Sequence, residues 1–371
     1  MGIKCVNPFL KEKVPYAFLE KYDLGQLKGY RIAIDAANWT FMILSGEHRN
    51  TVVRTKNIID DELDREMTMQ KFYKRFIDFN LMLLEADITP VWCWDGKAHA
   101  EKGPEREKRK ADRKERQNKV DKLKEEIEAV PSWLRNVKNL GMVPDEHKAL
   151  ACEYQEKVKE VQKIMATQVS VSYEEIETIK QLATGLGIPS LVSDNEGEML
   201  CSQLAVQGKV MAVWSADTDN YAMGTPFLIT GFNGFGPGRT PLVKAVVLPY
   251  MLAGLEMTQN ELRDFCIMCG TDYNSNICKI GPKKSFDLLK KHKTIEAIRD
   301  DAKLDISCLK HEICRDYLTP KIIDLNTVDL HLNGNKFMSV GRDILNQYGL
   351  DDCYDELHKI MKHKVSSVVI L

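Results

Sequence analysis

Acidic side chains recur in this sequence where short apolar runs end, and again at one later turn. They are Asp35, Asp95, Glu196, Glu198, Asp217, Asp219 and Asp272. Carboxylate oxygens are the hard ligands that Mg²⁺ prefers, and phosphodiester cleavage by two metal ions needs enough carboxylates to hold the ions about 3.5–4 Å apart. One Asp after a strand is usually a cap or turn residue, but capping does not readily explain the whole set. The pattern therefore indicates a site for divalent metal ions.

The elements that must position these residues alternate along the chain. Runs of strand length cover 30–35, 90–95, 188–192 and 210–215, and stretches with helical periodicity cover 68–85, 173–185 and 196–207. This alternation predicts an α/β fold with a mainly parallel central sheet flanked by helices. Ligands bind outside the carboxyl ends of strands in such sheets, so acids from separate segments should meet at one rim.

Two concentrations of positive charge accompany the acidic set. A polar insert over about 101–170 has nine Lys/Arg and three Asp/Glu between Lys108 and Lys124, a local charge of +6. Prolines interrupt this insert, so it should form two or more helices. Lys279 to Lys293 contain six lysines and one aspartate, a local charge of +5. Charge runs are most often solvated helix faces, and that interpretation stays open for both.

The second basic patch lies in a segment, 258–300, that we predict to be a helix–hairpin–helix. Thr258 and Glu261 have capping-box spacing at the start of its first helix. An apolar pair, Ile277 and Ile280, precedes a turn with glycine and a new helix. Backbone N–H groups and lysines there would hold phosphate oxygens. The alternative is an ordinary turn with surface lysines.

Composition excludes several classes of protein. The 371 residues carry a net charge of -2, so nucleic acid could be attracted only by local patches. The longest apolar run, 245–255, contains Pro249, and the charged N-terminus has no apolar core, which predicts neither a membrane span nor a signal peptide. The ten scattered cysteines suit a reducing compartment. Cys266 and Cys269 have metal-ligand spacing but lie in an apolar helical pattern, so zinc is not favoured. We expect an intracellular protein.

The ordered series of motifs resembles the structure-specific 5′ nucleases of the XPG/Rad2 type, and most closely the flap endonucleases. The similarity covers about residues 1–300. It is carried by Met1-Gly2-Ile3-Lys4, Ile34-Asp35-Ala36, Trp94-Asp95-Gly96-Lys97, Asp194-Asn195-Glu196-Gly197-Glu198-Met199, Ser215-Ala216-Asp217-Thr218-Asp219, Cys269-Gly270-Thr271-Asp272-Tyr273 and Ile280-Gly281-Pro282-Lys283-Lys284. One such motif would be weak, whereas the ordered series is highly specific.

The resemblance implies a PIN-like α/β fold in one nuclease domain, 1–371. Within it, 101–170 would form a helical arch, 258–300 the helix–hairpin–helix, and 301–371 a helical extension of unassigned role. The implied activity is hydrolysis of branched DNA that depends on two Mg²⁺ ions, with Mn²⁺ as a substitute. The enzyme would release 5′ flaps and also act as a 5′-3′ exonuclease in replication and repair.

The resemblance also implies roles for individual residues. Asp35, Asp95, Glu196 and Glu198 would surround one ion, and Asp217, Asp219 and Asp272 the other, with Glu198 shared. Lys102 and Arg109 would be catalytic cations at the base of the arch that steer the scissile phosphate onto the metals. Further DNA contacts would come from Gly2, Phe41, Gly270, Gly281, Lys283 and Lys284, with Phe41 stacking on a base.

Three departures from the family pattern bear on these roles. Phe41 stands where the closest relatives usually carry tyrosine, and Lys279 stands where the hairpin usually has glycine. The arch insert is longer, which leaves threading or clamping of the flap open. The C-terminal residues lack the motif that docks on a sliding clamp. Gln259 to Cys266 imitate that motif but are interpreted as core of a helix, so a shortened member is expected, with a viral source among the options.

Partners and location follow from the same resemblance. We expect a monomer that binds branched or 5′-ended DNA, without a membrane or a clamp motif, in the nucleus or, for a viral protein, at a cytoplasmic replication site. Two alternatives remain at this point. One is a related 5′ nuclease that prefers bubbles, four-way junctions or RNA ends. The other is a non-catalytic DNA-binding scaffold, whose sequence would have lost carboxylates.

Overall fold

The computed structural model of this chain describes residues 2–55, 59, 61–96, 103–135, 141, 143–232, 241–324, 328–333 and 339–368. The strands are β1 (Phe18–Asp23), β2 (Arg31–Asp35), β3 (Thr89–Trp94), β4 (Ser190–Val192), β5 (Ala212–Trp214), β6 (Phe227–Phe232) and β7 (Leu242–Val247). The helices are α1 (Val6–Lys13), α2 (Ala36–Arg54), α3 (Arg65–Glu85), α4 (Gly103–Glu128), α5 (Ser132–Arg135), α6 (Asp145–Met165), α7 (Tyr173–Gly185), α8 (Gly197–Val206), α9 (Asp219–Met223), α10 (Leu248–Leu255), α11 (Gln259–Cys269), α12 (Pro282–His292), α13 (Ile295–Ala302), α14 (His311–Tyr317), α15 (Ser339–Gln347) and α16 (Asp351–Val368).

The strands form one seven-stranded sheet in the order β1-β7-β6-β5-β2-β3-β4. Strands β6, β5, β2, β3 and β4 run parallel to one another, and β7 and β1 add an antiparallel edge. The predicted α/β fold around a mainly parallel sheet is therefore confirmed. So are the four predicted strands, β2 to β5, and the helices α3, α7 and α8.

Alternation along the central strands divides the sheet into two buried faces. On β3, Val91 and Cys93 join the large core that includes α1, α8 and α11. Trp92 points to the opposite face, where it makes edge-on contacts with Trp39 and Phe79. Successive side chains of a strand point to opposite sides, and both sides are covered by helices. This explains why the central strands are continuous apolar runs rather than alternating ones.

Contacts between Cα atoms divide the chain into two compact units. One comprises 1–39, 77–102 and 177–371 and holds the sheet; the other comprises 40–76 and 103–176. In the second unit α4 packs against α6, with Val120, Ile127 and Val161 in a small apolar cluster. The prediction of two or more helices in the insert is confirmed by α4 and α6. The assignment of 1–371 to one nuclease domain with an arch insert stays a prediction.

Two further sequence interpretations can be compared with side-chain burial. Leu262 and Phe265 are fully buried in α11, which confirms that the clamp-like segment is core. Cys266 and Cys269 are also buried there, and burial raises the pKa of both thiols, the opposite of what zinc ligation requires. Throughout the part of the chain that the structure describes, no helix is both long enough and apolar enough to cross a bilayer.

Candidate metal centre and nuclease site

The acidic residues of the sheet unit lie at the carboxyl ends of neighbouring parallel strands. Asp35 is the last residue of β2 and Asp95 follows β3. Glu196 is the N-cap of α8, which follows β4, and Glu198 lies in the first turn of that helix. Asp217 and Asp219 follow β5, and Asp219 begins α9. Parallel strands that are neighbours end at the same rim of a sheet. The expected delivery of acids to one rim is thus observed.

Ser215 links the carboxylates that follow β2 and β5. Its hydroxyl donates to Oδ2 of Asp35 at 2.9 Å and accepts from the backbone N–H of Asp217 at 3.1 Å. Asn38 donates its backbone N–H to Oδ1 of Asp35 at 3.1 Å, and its side-chain oxygen accepts from Ala216 N–H at 3.1 Å. These bonds fix the position of Asp35 and shape the loop that carries Asp217.

The loop after β3 and the start of α8 are joined in a similar way. The backbone N–H of Gly197 donates to Oδ1 of Asp95 at 2.7 Å. A Cβ on Gly197 would lie 2.6 Å from the carbonyl oxygen of Cys93, so only glycine permits this approach. On the other side of the helix terminus, the hydroxyl of Tyr273 donates to Oε2 of Glu196 at 2.9 Å. The first turn of α8 is therefore held between β3 and the 270–273 loop.

The N-terminal residues lie against the acidic loop after β5. Gly2 has φ of +85°, and a Cβ there would lie 2.0 Å from Oδ1 of Asp217 and 2.8 Å from Oδ1 of Asp219. Ile3 donates its N–H to Oγ1 of Thr218 at 2.8 Å, and Lys4 N–H donates to the carbonyl of Gly270 at 3.1 Å. A glycine is thus required at position 2, and residues 2–4 lie against the candidate site.

The acidic residues at the rim place several negative charges close together. The pKa of Asp35 is raised to about 7, because burial and the charges of Asp95 and Asp217 outweigh the opposing hydrogen bonds from Asn38 and Ser215. Burial and the charges of Glu196, Glu198 and Asp219 likewise raise the pKa of the Tyr273 hydroxyl. Like charges gathered in this way favour bound protons or cations.

The raised pKa of Asp35 predicts how stability depends on pH. A carboxyl with a folded-state pKa above its unfolded value stabilises the fold fully below about pH 4, and this contribution is lost as the pH rises toward about 7. Asp35→Asn cannot ionise. In chelator at pH 8 it should therefore raise the free energy of unfolding by up to about 4 kcal/mol, three pKa units at about 1.36 each, and change it little at pH 4. Denaturant unfolding at both pH values measures this.

Asp305→Asn provides the control for that experiment. Asp305 is fully exposed, and the backbone N–H of Ser307 lowers the pKa of its carboxyl rather than raising it. Its replacement should bring no gain in stability at pH 8. Equal unfolding free energies for the wild type and Asp35→Asn at pH 8 would contradict the buried-charge argument.

The donors at the rim fit a hard divalent cation by their chemistry, because all of them are carboxylate oxygens. Asp35, Glu196, Glu198, Asp217 and Asp219 are all at most 9% exposed, while Asp95 is exposed and Asp272 half-buried. Among the described residues, however, no three acidic, histidine or cysteine side chains are arranged so that they could hold one ion as they stand. The division of the seven carboxylates between two ions therefore stays a prediction.

Arg109, a predicted catalytic cation, and Phe41, the predicted stacking residue, lie in the unit that comprises 40–76 and 103–176. Arg109 is half-buried on α4, and Phe41 is 40% exposed on α2. Lys102 lies outside the described residues. Their predicted roles toward the acidic rim stay predictions.

The predicted hairpin connects α11 to α12. Gly281 is the N-cap of α12, and Lys283 and Lys284 are exposed in its first turn. Lys279 has φ of +62°, the left-handed conformation that glycine usually supplies, and its carbonyl accepts a bond from Nζ of Lys284 at 3.3 Å. The lysine thus takes a conformation that is typical of glycine. The capping box of Thr258 and Glu261 at the start of α11 is confirmed.

Sequence reasoning missed the residues that support the acids. Ser215 and Asn38 lie within or beside the family motifs, but the motifs predict no role for either. Tyr273 is part of its motif only as the neighbour of Asp272. A signal did exist, since a polar residue directly after a buried apolar strand needs a hydrogen-bonding partner. Its identity depends on neighbours more than 75 residues away, which one sequence does not reveal.

Comparison with known proteins agrees with this arrangement. The profile of the XPG N-terminal domain matches residues 1–116, and that of the XPG I-region matches residues 187–272. Flap endonuclease 1 of Scheffersomyces stipitis is 30% identical over 298 residues, which cover 80% of this chain and 68% of that protein. Flap endonuclease 1 of Heterostelium pallidum is 29% identical over 298 residues, covering 80% and 67%.

Solved structures share the fold at lower identity. The flap endonuclease-1 from Methanococcus jannaschii superposes with a TM-score of 0.58 at 22% identity, covering 93% of this chain and 96% of that one. The catalytic core of Rad2 in complex with a DNA substrate gives 0.56 at 15% identity, covering 94% and 98%. Taken with the sequence relatives and the acidic rim, these matches show that the chain belongs to the XPG/Rad2-type 5′ nucleases, the family that includes the flap endonucleases.

Proposed function

We propose that this chain is a structure-specific 5′ flap endonuclease and 5′-3′ exonuclease that hydrolyses DNA phosphodiester bonds with two divalent metal ions, Mg²⁺ in the first place and Mn²⁺ as a substitute. The observation that carries the proposal is the buried acidic rim. Acids from β2, the β4–α8 connection and the β5–α9 connection meet at one edge of a parallel sheet. Sequence relatives of the chain include flap endonucleases.

The seven carboxylates are proposed to form two ligand sets, one for each metal ion. Asp35, Asp95, Glu196 and Glu198 would hold one ion, and Asp217, Asp219 and Asp272 the other, with Glu198 shared. Bound Mg²⁺ would supply a Lewis acid for the scissile phosphate and lower the pKa of a water nucleophile. Asn38 and Ser215 hold Asp35 through two donated bonds, so its oxygens are presented in a fixed orientation.

Positive residues of the chain would place the substrate. Lys102 and Arg109 would neutralise the scissile phosphate where charge develops. Gly2, next to Asp217, would allow the DNA backbone to approach the rim, and Phe41, exposed on α2, would stack on a base at the junction. Gly270, Gly281, Lys283 and Lys284 would contact the duplex. Alternatively, the two basic runs are solvated helix faces or an ordinary turn. Variants at Lys283, Lys284 and Arg109 test these alternatives.

A second candidate function is cleavage of another branched structure. Human GEN1 in complex with Holliday junction DNA superposes with a TM-score of 0.53 at 13% identity, covering 97% of this chain and 77% of that one. The fold is therefore compatible with four-way junctions as well as flaps, and bubbles and RNA ends are further candidates of the same kind. A non-catalytic scaffold is disfavoured, because every one of the seven carboxylates is present.

One assay separates these functions. Purified full-length protein is incubated with labelled flap, fork, bubble and four-way junction substrates, with Mg²⁺ or with chelator. We expect cleavage of the flap at the base of the 5′ arm, dependent on metal. A stronger preference for the junction would favour the second candidate, cleavage in chelator would overturn the metal mechanism, and binding without cleavage would favour the scaffold.

The basic start of α12 is tested by Lys283→Ala with Lys284→Ala. Both side chains are exposed, so their removal should weaken duplex binding and leave turnover at saturating DNA nearly unchanged, as expected when uniform binding is removed. The slope of log K against log salt should fall by about 0.9 for each phosphate that the variant no longer neutralises. The double variant Lys359→Ala with Lys362→Ala, equal in charge and exposed on α16, is the control. An unchanged slope would mean that the hairpin does not bind phosphates.

The proposed cellular location rests on the sequence relatives of the chain. The named relatives are eukaryotic and give no support to a viral source. We therefore propose the nucleus. We also propose that the protein is a monomer and has no sliding-clamp motif. Analytical ultracentrifugation measures the oligomeric state, and a clamp-binding assay measures whether the protein binds a sliding clamp.

A further inference from the structure

Tyr273 occupies the point where the two groups of acidic residues approach each other. It directly follows Asp272, and its hydroxyl donates to Oε2 of Glu196 at 2.9 Å. The charges of Glu196, Glu198 and Asp219 all act on its hydroxyl. The side chain is 6% exposed, so this hydrogen bond is shielded from water. Tyr273 is thus a neutral donor that meets an acid of the rim from the 270–273 loop.

The loop that carries Tyr273 is itself tightly bonded. The amide oxygen of Asn274 accepts from the N–H of Thr271 at 3.0 Å and from its hydroxyl at 2.7 Å. The N–H of Tyr273 donates to Oγ1 of Thr271 at 3.1 Å, and the Asn274 amide donates to the carbonyl of Ile267 in α11 at 2.8 Å. The Tyr273 backbone is therefore set by local bonds, and the direction of its ring is set by what packs on it.

Helix α14, from the C-terminal region of unassigned role, packs on that ring and on the loop. The rings of Tyr317 and Tyr273 have centroids 5.2 Å apart with planes at 36°. Three residues earlier, Cys314 is fully buried beside the side chain of Thr271. Arg315 anchors the helix through two bonds to Asp264 of α11, at 2.7 and 2.6 Å. Side chains from successive turns of α14 thus hold the loop and the ring together.

We infer that Tyr273 is a positioning residue for the metal centre, and that Tyr317 of α14 keeps its ring in place. The hydroxyl fixes the plane of the Glu196 carboxylate, and the Tyr317–Tyr273–Glu196 chain of contacts links residues 301–371 to the acidic rim. This inference rests on the proposed function, because it assumes that Glu196 binds a metal ion. Both tyrosines lie beyond the part of the chain that matches the XPG I-region, residues 187–272.

A neutral phenol is suited to this task for an electrostatic reason. It satisfies one carboxylate oxygen without neutralising the charge that attracts the cation, which a lysine or arginine at the same position would do. An ordinary phenol has a pKa of about 10, so the hydroxyl that donates to Glu196 stays a donor across the working pH range. Hydrogen bonds to ligating carboxylates orient them, and their removal typically weakens metal binding by about 10–100-fold.

The test is Tyr273→Phe in the full-length chain, which removes only the hydroxyl. Mn²⁺ alone is the probe, and its binding without DNA is followed by the loss of the electron paramagnetic resonance signal of the free ion. We expect roughly 10–100-fold weaker Mn²⁺ binding at the site that Glu196→Gln also weakens. In cleavage assays the Mg²⁺ concentration for half-maximal rate should rise by a similar factor, with DNA affinity unchanged. A merely structural role would not shift the metal dependence in this way.

Tyr317→Leu tests the second contact and remains informative if Tyr273→Phe does not fold. Removal of the aromatic pair should weaken Mn²⁺ binding by about two- to tenfold. Tyr354→Phe is the control, because Tyr354 is another buried tyrosine but stacks on His358 within α16. It should bind Mn²⁺ as the wild type does. Unfolding of each variant in chelator reports separately on stability.

The outcomes distinguish failure of this inference from failure of the proposed function. If the wild type binds no Mn²⁺ and does not cleave, the proposed metal mechanism fails and the inference fails with it. If the wild type binds and cleaves but Tyr273→Phe and Tyr317→Leu bind Mn²⁺ equally well, only the positioning role is overturned. Weaker Mn²⁺ binding in both variants, with the control unchanged, supports it.

Discussion

Asp217→Asn is expected to abolish cleavage and leave DNA binding nearly intact. The substitution keeps the oxygen that accepts the backbone N–H of Asp219 at 3.1 Å, and the bond from the Asp217 N–H to Ser215 is a backbone donation that does not change. The loop should therefore keep its shape. If Asp217 binds a metal ion as proposed, the variant removes the negative charge of a ligand, and with it the ion that would activate the nucleophile. The lysines that are proposed to supply DNA affinity are untouched.

Single-turnover cleavage of a 5′ flap and a binding titration in Ca²⁺ measure the two effects separately. Asp23→Asn is a matched control, because Oδ1 of Asp23 also accepts a backbone N–H from two residues ahead, that of Gly25 at 2.8 Å. Asp23, however, is the last residue of the antiparallel strand β1. It should cleave like the wild type. If Asp217→Asn cuts at more than about a tenth of the wild-type rate, its carboxylate does not ligate a catalytic ion.

The parts of the fold that could be predicted are those in which burial leaves a continuous pattern. Strands β2 to β5 are buried between helices on both faces, so they appear as short apolar runs with polar boundaries. Helices α7 and α8 follow their predicted bounds within a residue because turns and acidic first turns delimit them. The capping box of α11 could be predicted for the same reason, since its hydrogen bonds are local.

The antiparallel edge of the sheet was not predicted. Strand β1, with the sequence FLEKYD, has charged residues at its centre, and its pairing with β7 joins residues more than 200 positions apart. Strand β7 continues into α10, so one apolar stretch belongs to two elements. Helix α2 was also missed: its hydrophobic residues follow no clean helical stripe. In each case tertiary neighbours, rather than local propensity, determine the structure.

The candidate site could be predicted to the level of its charged residues and no further. Acids after parallel strands converge for a topological reason, and this applies before any distance is known. Their hydrogen-bonding partners could not be predicted, because Ser215 reaches Asp35 and Tyr273 reaches Glu196 across long sequence separations. The left-handed backbone of Lys279 is a further example, since lysine rarely adopts the conformation that the hairpin imposes.

The largest effect outside the carboxylates is expected for Arg109→Ala. Arg109 is one of nine cations between Lys108 and Lys124, and on a solvated face its removal should matter little, since surface ion pairs contribute about 0–1 kcal/mol. If its guanidinium grips the scissile phosphate, it acts where charge develops. Removal of one such preorganised donor typically costs about 10²–10³ in rate, or roughly 2.7–4 kcal/mol.

The control for that variant is Lys110→Ala, which removes the same charge from the same helix. Arg109 is half-buried on α4 whereas its neighbour Lys110 is exposed, so the two side chains differ in environment and not in formal charge. We expect single-turnover cleavage to slow by at least about a hundredfold for Arg109→Ala and by less than about threefold for Lys110→Ala. Because both variants lower the charge of α4 equally, a general electrostatic effect on DNA binding would change both to the same extent. Equal, small effects would assign α4 to a generic electrostatic surface, and the difference between the two rates is therefore the measure of a catalytic role for Arg109.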